Sequence, residues 1–191
     1  MVRIRGYDVS ITTERRRTSA VNDIYRTKAP QATSSLPQRI AIATIAVALL
    51  DATDGVVYFW LTAHRNPIEV LQYIASGALG EAAYSGGLAT AFAGLIFHFI
   101  ISFAAVYAFM MLYTRSRFVH ENAPAVGLAY GAVVWCFMNL VVLPESLVTP
   151  TPLTTLSVVH GVIGHALFVG LPAALCALWK MPSGATIGQA A

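Results

Sequence analysis

Asp51 and Asp54 stand three residues apart inside an apolar stretch, residues 40–62. On a helix that spacing places both carboxylates on one face, close enough to share a proton or a ligand. An aspartate at the centre of a membrane helix costs at least about 2.5–3.5 kcal/mol on insertion scales, so two of them call for a reason. Three further apolar stretches each carry a polar residue of their own: His98, Asn139 and His165. At about 1.5 Å of rise per residue, Asp54, His98, Asn139 and His165 all fall about 21–23 Å from the cytoplasmic ends of their helices, one layer drawn from four helices. Asp51 and Trp135 fall about a turn deeper, while His160 and Glu145 lie toward the outer mouth.

Several chemistries fit this set. A carboxylate beside an imidazole can relay protons or line a solute cavity, because histidine changes charge near neutral pH. Asp51, Asp54, His98 and His165 together offer hard and borderline ligands suited to zinc, iron or manganese. His98 and His165 at one depth could serve as axial ligands of a haem, although no haem-attachment spacing is present and no cofactor is required by the sequence. Against all three stands a purely structural account, in which Asp–His pairs satisfy each other and fix helix register. No nucleotide-binding glycine loop, nucleophile elbow or His-Glu-x-x-His run is found, which points away from a soluble-type enzyme; a hydrolase using the Asp pair within the membrane is the remaining enzymatic reading.

The elements that position these residues are read from composition. The chain has 191 residues, 57% of them apolar and only 11% charged, with a mean hydropathy of +0.65. Soluble domains carry about a quarter charged residues, so lipid is the expected solvent and nucleic acid is not an expected partner. A bilayer core about 30 Å thick needs about 20 apolar residues per crossing helix, and four such runs occur: 40–62, 88–113, 124–143 and 154–179. They are too long and continuous for barrel strands, so the fold class is all-α, an integral membrane four-helix bundle. Eleven of the twelve Lys and Arg residues fall before residue 40, between the second and third runs, or at Lys180, and only Arg65 falls elsewhere. This bias places both chain ends in the cytoplasm.

The domain layout follows: a polar basic cytoplasmic tail over residues 1–39, a transmembrane domain over 40–180 and a short cytoplasmic tail over 181–191. The Arg15-Arg16-Arg17 cluster in the first tail suits contact with anionic headgroups. Outside the membrane, Asn66-Pro67-Ile68-Glu69 has the order of a helix start and predicts a short apolar helix at the outer interface or in the bundle mouth, ended by Gly77 and Gly80. A short basic connection, 114–123, predicts that the second and third crossing helices are neighbours. Pro172 predicts a kink in the fourth. Cys136 and Cys176 differ too much in depth for a disulfide.

Four-residue spacing aligns Gly86, Thr90, Gly94, His98 and Ser102, then Gly127, Gly131, Trp135 and Asn139, then Ser157, Gly161 and His165. Small residues in such stripes let membrane helices approach closely, which predicts that these faces turn inward and bring Asp51, Asp54, His98 and His165 together. The segment Pro144-Glu145-Ser146 through Thr149-Pro150, followed by Gly164-His165, resembles small bacterial inner-membrane proteins of the YagU-like kind. That resemblance covers the last two helices and implies a four-helix protein of the bacterial inner membrane without implying a reaction. The expectation is proton-linked movement of a small solute or ion through the polar layer, in one chain or a homo-oligomer. The alternatives are an accessory subunit of a larger membrane complex and an intramembrane metal- or haem-binding protein.

Overall fold

The computed structural model describes residues 35–149 and 152–179. The basic cluster at Arg15–Arg17 and the C-terminal tail from Lys180 lie outside the described residues. Within them the chain is helical throughout, and four helices are long and apolar enough to cross a membrane: Leu36–Ala63, Gly87–Arg115, Ala123–Val142 and Thr155–Leu178. Large apolar side chains such as Leu61, Leu88, Phe92, Leu140 and Leu156 point outward from all four, the surface expected of helices solvated by lipid.

The first helix, α1 (Leu36–Ala63), begins four residues before its apolar run because Ser35 caps it. The Ser35 hydroxyl accepts the Gln38 amide while the Gln38 side chain accepts the Ser35 amide, with Pro37 in the first turn. At its far end His64 turns the chain with φ of 52°. The short helix α2 (Pro67–Leu79) is capped as expected: the Asn66 side chain accepts the Glu69 amide at 3.0 Å, and Glu69 reaches back to the Asn66 side-chain amide at 3.1 Å.

Helix α2 runs through Gly77 and stops only at Gly80. The Gly77 carbonyl is used differently, accepting the Leu147 amide at 3.0 Å and so tying the loop after the third span to this helix. Nor does α2 merely lie on the interface. Gly94 of the second span, α3 (Gly87–Arg115), lies so close to the Leu71 carbonyl that a Cβ there would collide with it, and Gln72 is buried with its amide on the Gly87 carbonyl at 3.0 Å. A 3-10 segment, Gly80–Ser85, joins the two.

The connection after α3 is not a bare loop. It holds a single-turn helix, α4 (Arg117–Glu121), started by Ser116 and braced by an exposed Arg117–Glu121 ion pair at 2.7 Å. The third span comprises α5 (Ala123–Phe137) and a π-helical turn, Met138–Val142. The fourth comprises α6 (Thr155–His165), a second π-helical turn, Ala166–Gly170, and α7 (Leu171–Leu178). Each π turn is followed by a Leu-Pro pair, Leu143-Pro144 or Leu171-Pro172. A proline ring crowds the carbonyl four residues back, and in both cases that carbonyl lies within the widened turn. The irregularity expected at Pro172 thus takes the form of a π turn.

The second and third spans meet through the Tyr130 hydroxyl, which donates to the Ala105 carbonyl at 2.7 Å, and through the Phe109–Tyr130 ring contact. The third span's closer partner is the fourth. A Cβ on Gly127 would lie 2.6 Å from that of Ala174, and one on Gly131 would strike the His165 carbonyl. The glycine stripe of the third span faces inward as expected, and it seals a seam between the last two spans. Packed around that seam is a core of Ile40, Ala43 and Val47 from α1, Val106, Phe109, Met110 and Tyr113 from α3, and Val169, Ala173, Ala174 and Ala177 from the fourth span. This core occupies the half of the bundle that holds the start of α1 and the end of the fourth span.

Candidate functional site

The other half of the bundle is open. Between the first, third and fourth spans lies a cavity of about 740 Å³ that reaches the bundle end at Thr62, Ala63, Pro144 and Pro152. Val47, in the packed core, is one helical turn from Asp51, and Val169 is one turn from His165, so the innermost polar residues of the cavity sit directly on the core.

Asp51 and Asp54 both line the cavity, and each faces a histidine of the fourth span. The Asp54 carboxylate lies 3.3 Å from His160 Nε2, and the Asp51 carboxylate lies 3.8 Å from His165 Nδ1. His165 Nδ1 also lies 3.1 Å from the Gly161 carbonyl, a contact that holds the ring against its own helix. His160 is held by the Tyr58 ring, stacked on it with centroids 4.1 Å apart and planes 18° apart. The local sequence explains why the helices can come this close. A Cβ on Gly164 would lie 2.7 Å from the Asp54 carboxylate, and one on Gly161 would strike the Trp135 indole, so these two glycines leave the space that the aspartate and the tryptophan fill.

Asn139 lines the same cavity, on the first π turn, with its side-chain amide donating to the Trp135 carbonyl at 3.0 Å. π turns recur at functional sites because they re-aim the residues around them, and here one carries Asn139 and the other follows His165 directly.

Some expectations meet a different geometry. His98 is in the layer by depth but not by direction: it is buried between α3 and α1, with Nε2 2.9 Å from the Ala48 carbonyl, and it does not line the cavity. It joins two helices, and that engaged nitrogen weighs against an axial haem ligand. Glu145 is exposed and also lies off the cavity. His160 lines the cavity one to two turns from the start of the fourth span and is also the partner of Asp54. Among the described residues no group of three His, Cys, Asp or Glu side chains gathers closely enough to hold a metal ion, so Asp51, Asp54, His98 and His165 do not form the ligand set that their depths suggested. Cys136 and Cys176 are free.

Tyr58 and Tyr73 are functional candidates that the stripes missed. Tyr58 had a signal: Asp51, Asp54, Tyr58 and Thr62 follow three- and four-residue spacing along one face of α1. Tyr73 had none, since only the docking of α2 brings it to the cavity.

These features define a helical protein with four potential membrane spans and a polar cavity open toward one end. Comparison with models of known protein families, with curated proteins and with solved structures finds no match for this chain.

Proposed function

We propose that this protein is a carrier-type protein of a bacterial inner membrane, which admits a small solute to the cavity from the outer side and exchanges protons there through two Asp–His pairs. The observation that carries the reading is the pairing of Asp51 with His165 and of Asp54 with His160 on the wall of one cavity. Their side chains keep 18–32% of their surface accessible, enough for a solute or water to reach them. Register alone would be served as well by pairs sealed in the core, whereas exchange with a solute needs the access that the cavity gives. Histidine is the side chain suited to handing on protons at physiological pH, and a carboxylate beside it can receive or return them. Arg39, Arg115 and Arg117 stand at the closed end, and most other Lys and Arg residues precede the first span in the sequence, which supports an outward-facing cavity and cytoplasmic termini.

Reconstitution into liposomes with an internal pH-sensitive dye tests this. The wild-type protein should carry protons down an imposed gradient, and Asp54→Asn, which keeps the shape but cannot exchange a proton near neutral pH, should abolish the flux while folding normally. A folded Asp54→Asn protein with wild-type flux would return the pairs to a structural role. Reporter fusions at residues 1 and 191 should be cytoplasmic, and one inserted at Arg65 external.

A further inference from the structure

Resting on the reading of the cavity as a solute site, we infer that the solute is an organic ammonium cation. The charged groups lining the cavity are the Asp51 and Asp54 carboxylates and the two histidines, with no Lys or Arg among its lining residues. An anion would meet two carboxylates whose only cationic neighbours among the described residues are histidines, which lose their charge on deprotonation, whereas an ammonium supplies a permanent counter-charge. Arg65, two residues beyond the cavity-lining Ala63, is occupied at the exposed end of the bundle by Glu69 at 3.5 Å.

The same lining argues against a bare metal ion. Such an ion replaces its water shell with several oxygen or nitrogen ligands at once, and no three candidate ligands cluster among the described residues. What the walls offer instead is aromatic surface. Tyr58, Phe59 and Tyr73 stand nearer the mouth, linked edge-to-face from Tyr58 to Phe59 with centroids 5.2 Å apart and tilted from Phe59 to Tyr73 at 6.4 Å. Trp135 stands further in. Ring faces attract large, weakly hydrated cations such as quaternary ammonium groups, which need no coordination shell. The volume, about 740 Å³, lies in the range of small-molecule sites and far above what a single inorganic ion fills. The order along α1 also suits such a guest: Tyr58 lies about one turn outside Asp54, so a cation entering from the mouth passes aromatic faces before it reaches the carboxylates.

The test is calorimetric titration of the full-length protein in nanodiscs with choline, with the larger cation tetraethylammonium, and with 3,3-dimethylbutan-1-ol, the uncharged carbon isostere of choline. At least one cation should bind saturably, and the alcohol at least about tenfold more weakly than choline if choline is the cation that binds. Asp54→Asn and, separately, Tyr58→Leu should each weaken cation binding about tenfold, whereas His98→Gln, outside the cavity, should leave it unchanged. Because the comparison of cation with isostere is made on the wild-type protein, a variant that fails to fold does not remove it. Equal binding of choline and its isostere overturns the inference, as does absence of binding by both cations. If neither cation binds while Asp54-dependent proton flux persists, the inference falls and the carrier reading stands. If a cation binds at Asp54 and no flux is found, the carrier reading falls and the cation site stands.

Discussion

The two halves of this bundle are built from the same helices, yet one is packed and the other is hollow. In the closed half, Val47, Val106, Phe109, Met110 and Tyr113 are fully buried against Ala173, Ala174 and Ala177. In the open half, the first and fourth spans present Asp51, Asp54, His160 and His165 to a cavity instead. The change takes a single turn, from Val47 to Asp51 on one helix and from Val169 to His165 on the other. Side-chain size accounts for the first half: alanines on the fourth span let large residues from α3 fill the space without voids. Polarity accounts for the second, since carboxylates and imidazoles are stable away from bulk water only when paired or reached by it. Hydrophobic composition alone does not separate the halves, because outward-facing apolar side chains cover both.

The largest effect should come from opening the closed half. Phe109→Ala leaves a void among Val106, Tyr130 and the fourth-span alanines and should lower stability by about 3–5 kcal/mol, read from thermal unfolding in detergent. A loss below about 1 kcal/mol would mean that this core is less closely packed than the comparison requires. Gly131→Val probes the seam on which both halves depend. Its side chain would strike the His165 carbonyl, and the overpacking should cost about 1–3 kcal/mol. Proton flux should fall as well, because the displaced backbone carries His165 away from Asp51; wild-type flux in a destabilised protein would dissociate that pair from function. The smallest effect is expected at His98→Ala. Loss of the contact with the Ala48 carbonyl should cost about 1 kcal/mol and leave flux intact. A flux as low as that of Asp54→Asn would place His98 in the proton path after all.

Much of this was legible in the sequence. Run length gave the four spans to within a few residues, and the Asn66-Pro67-Ile68-Glu69 order gave the start of α2. Rough position along each helix was legible too, because rise per residue is fixed, though the pairs came out a turn apart from the expected layer, His165 with Asp51 and His160 with Asp54. Direction around the helix was not. Four-residue spacing drifts slowly about the axis, which carried His98 into the shared layer on paper and left it between α1 and α3 in the fold. The same rule separated His160 from His165, since five residues are about 140° apart on a helix. A cavity wide enough to be bordered by three spans receives both. Nor could spacing reveal that α2 docks on α3 at Gly94, because that contact depends on a missing side chain in one helix and a backbone carbonyl in another.

The two π turns give the cavity a property of a different kind, which concerns how such a site can change over generations. Each turn closes with a hydrogen bond spanning five residues, Leu143 to Met138 and Leu171 to Ala166, and so holds one residue more than the straight helix would. Removing that residue would return the segment to α-helical winding while the residues on either side keep nearly their present facing, because the widened turn is where the surplus residue is absorbed. Loss of a single codon within 138–142 would therefore re-aim the side chains of that turn, Asn139 among them, while leaving Leu143, Pro144 and the sealed glycine seam at Gly127 and Gly131 nearly in place. The wall of the cavity can therefore be re-aimed by insertion and deletion without touching the residues that hold the bundle together.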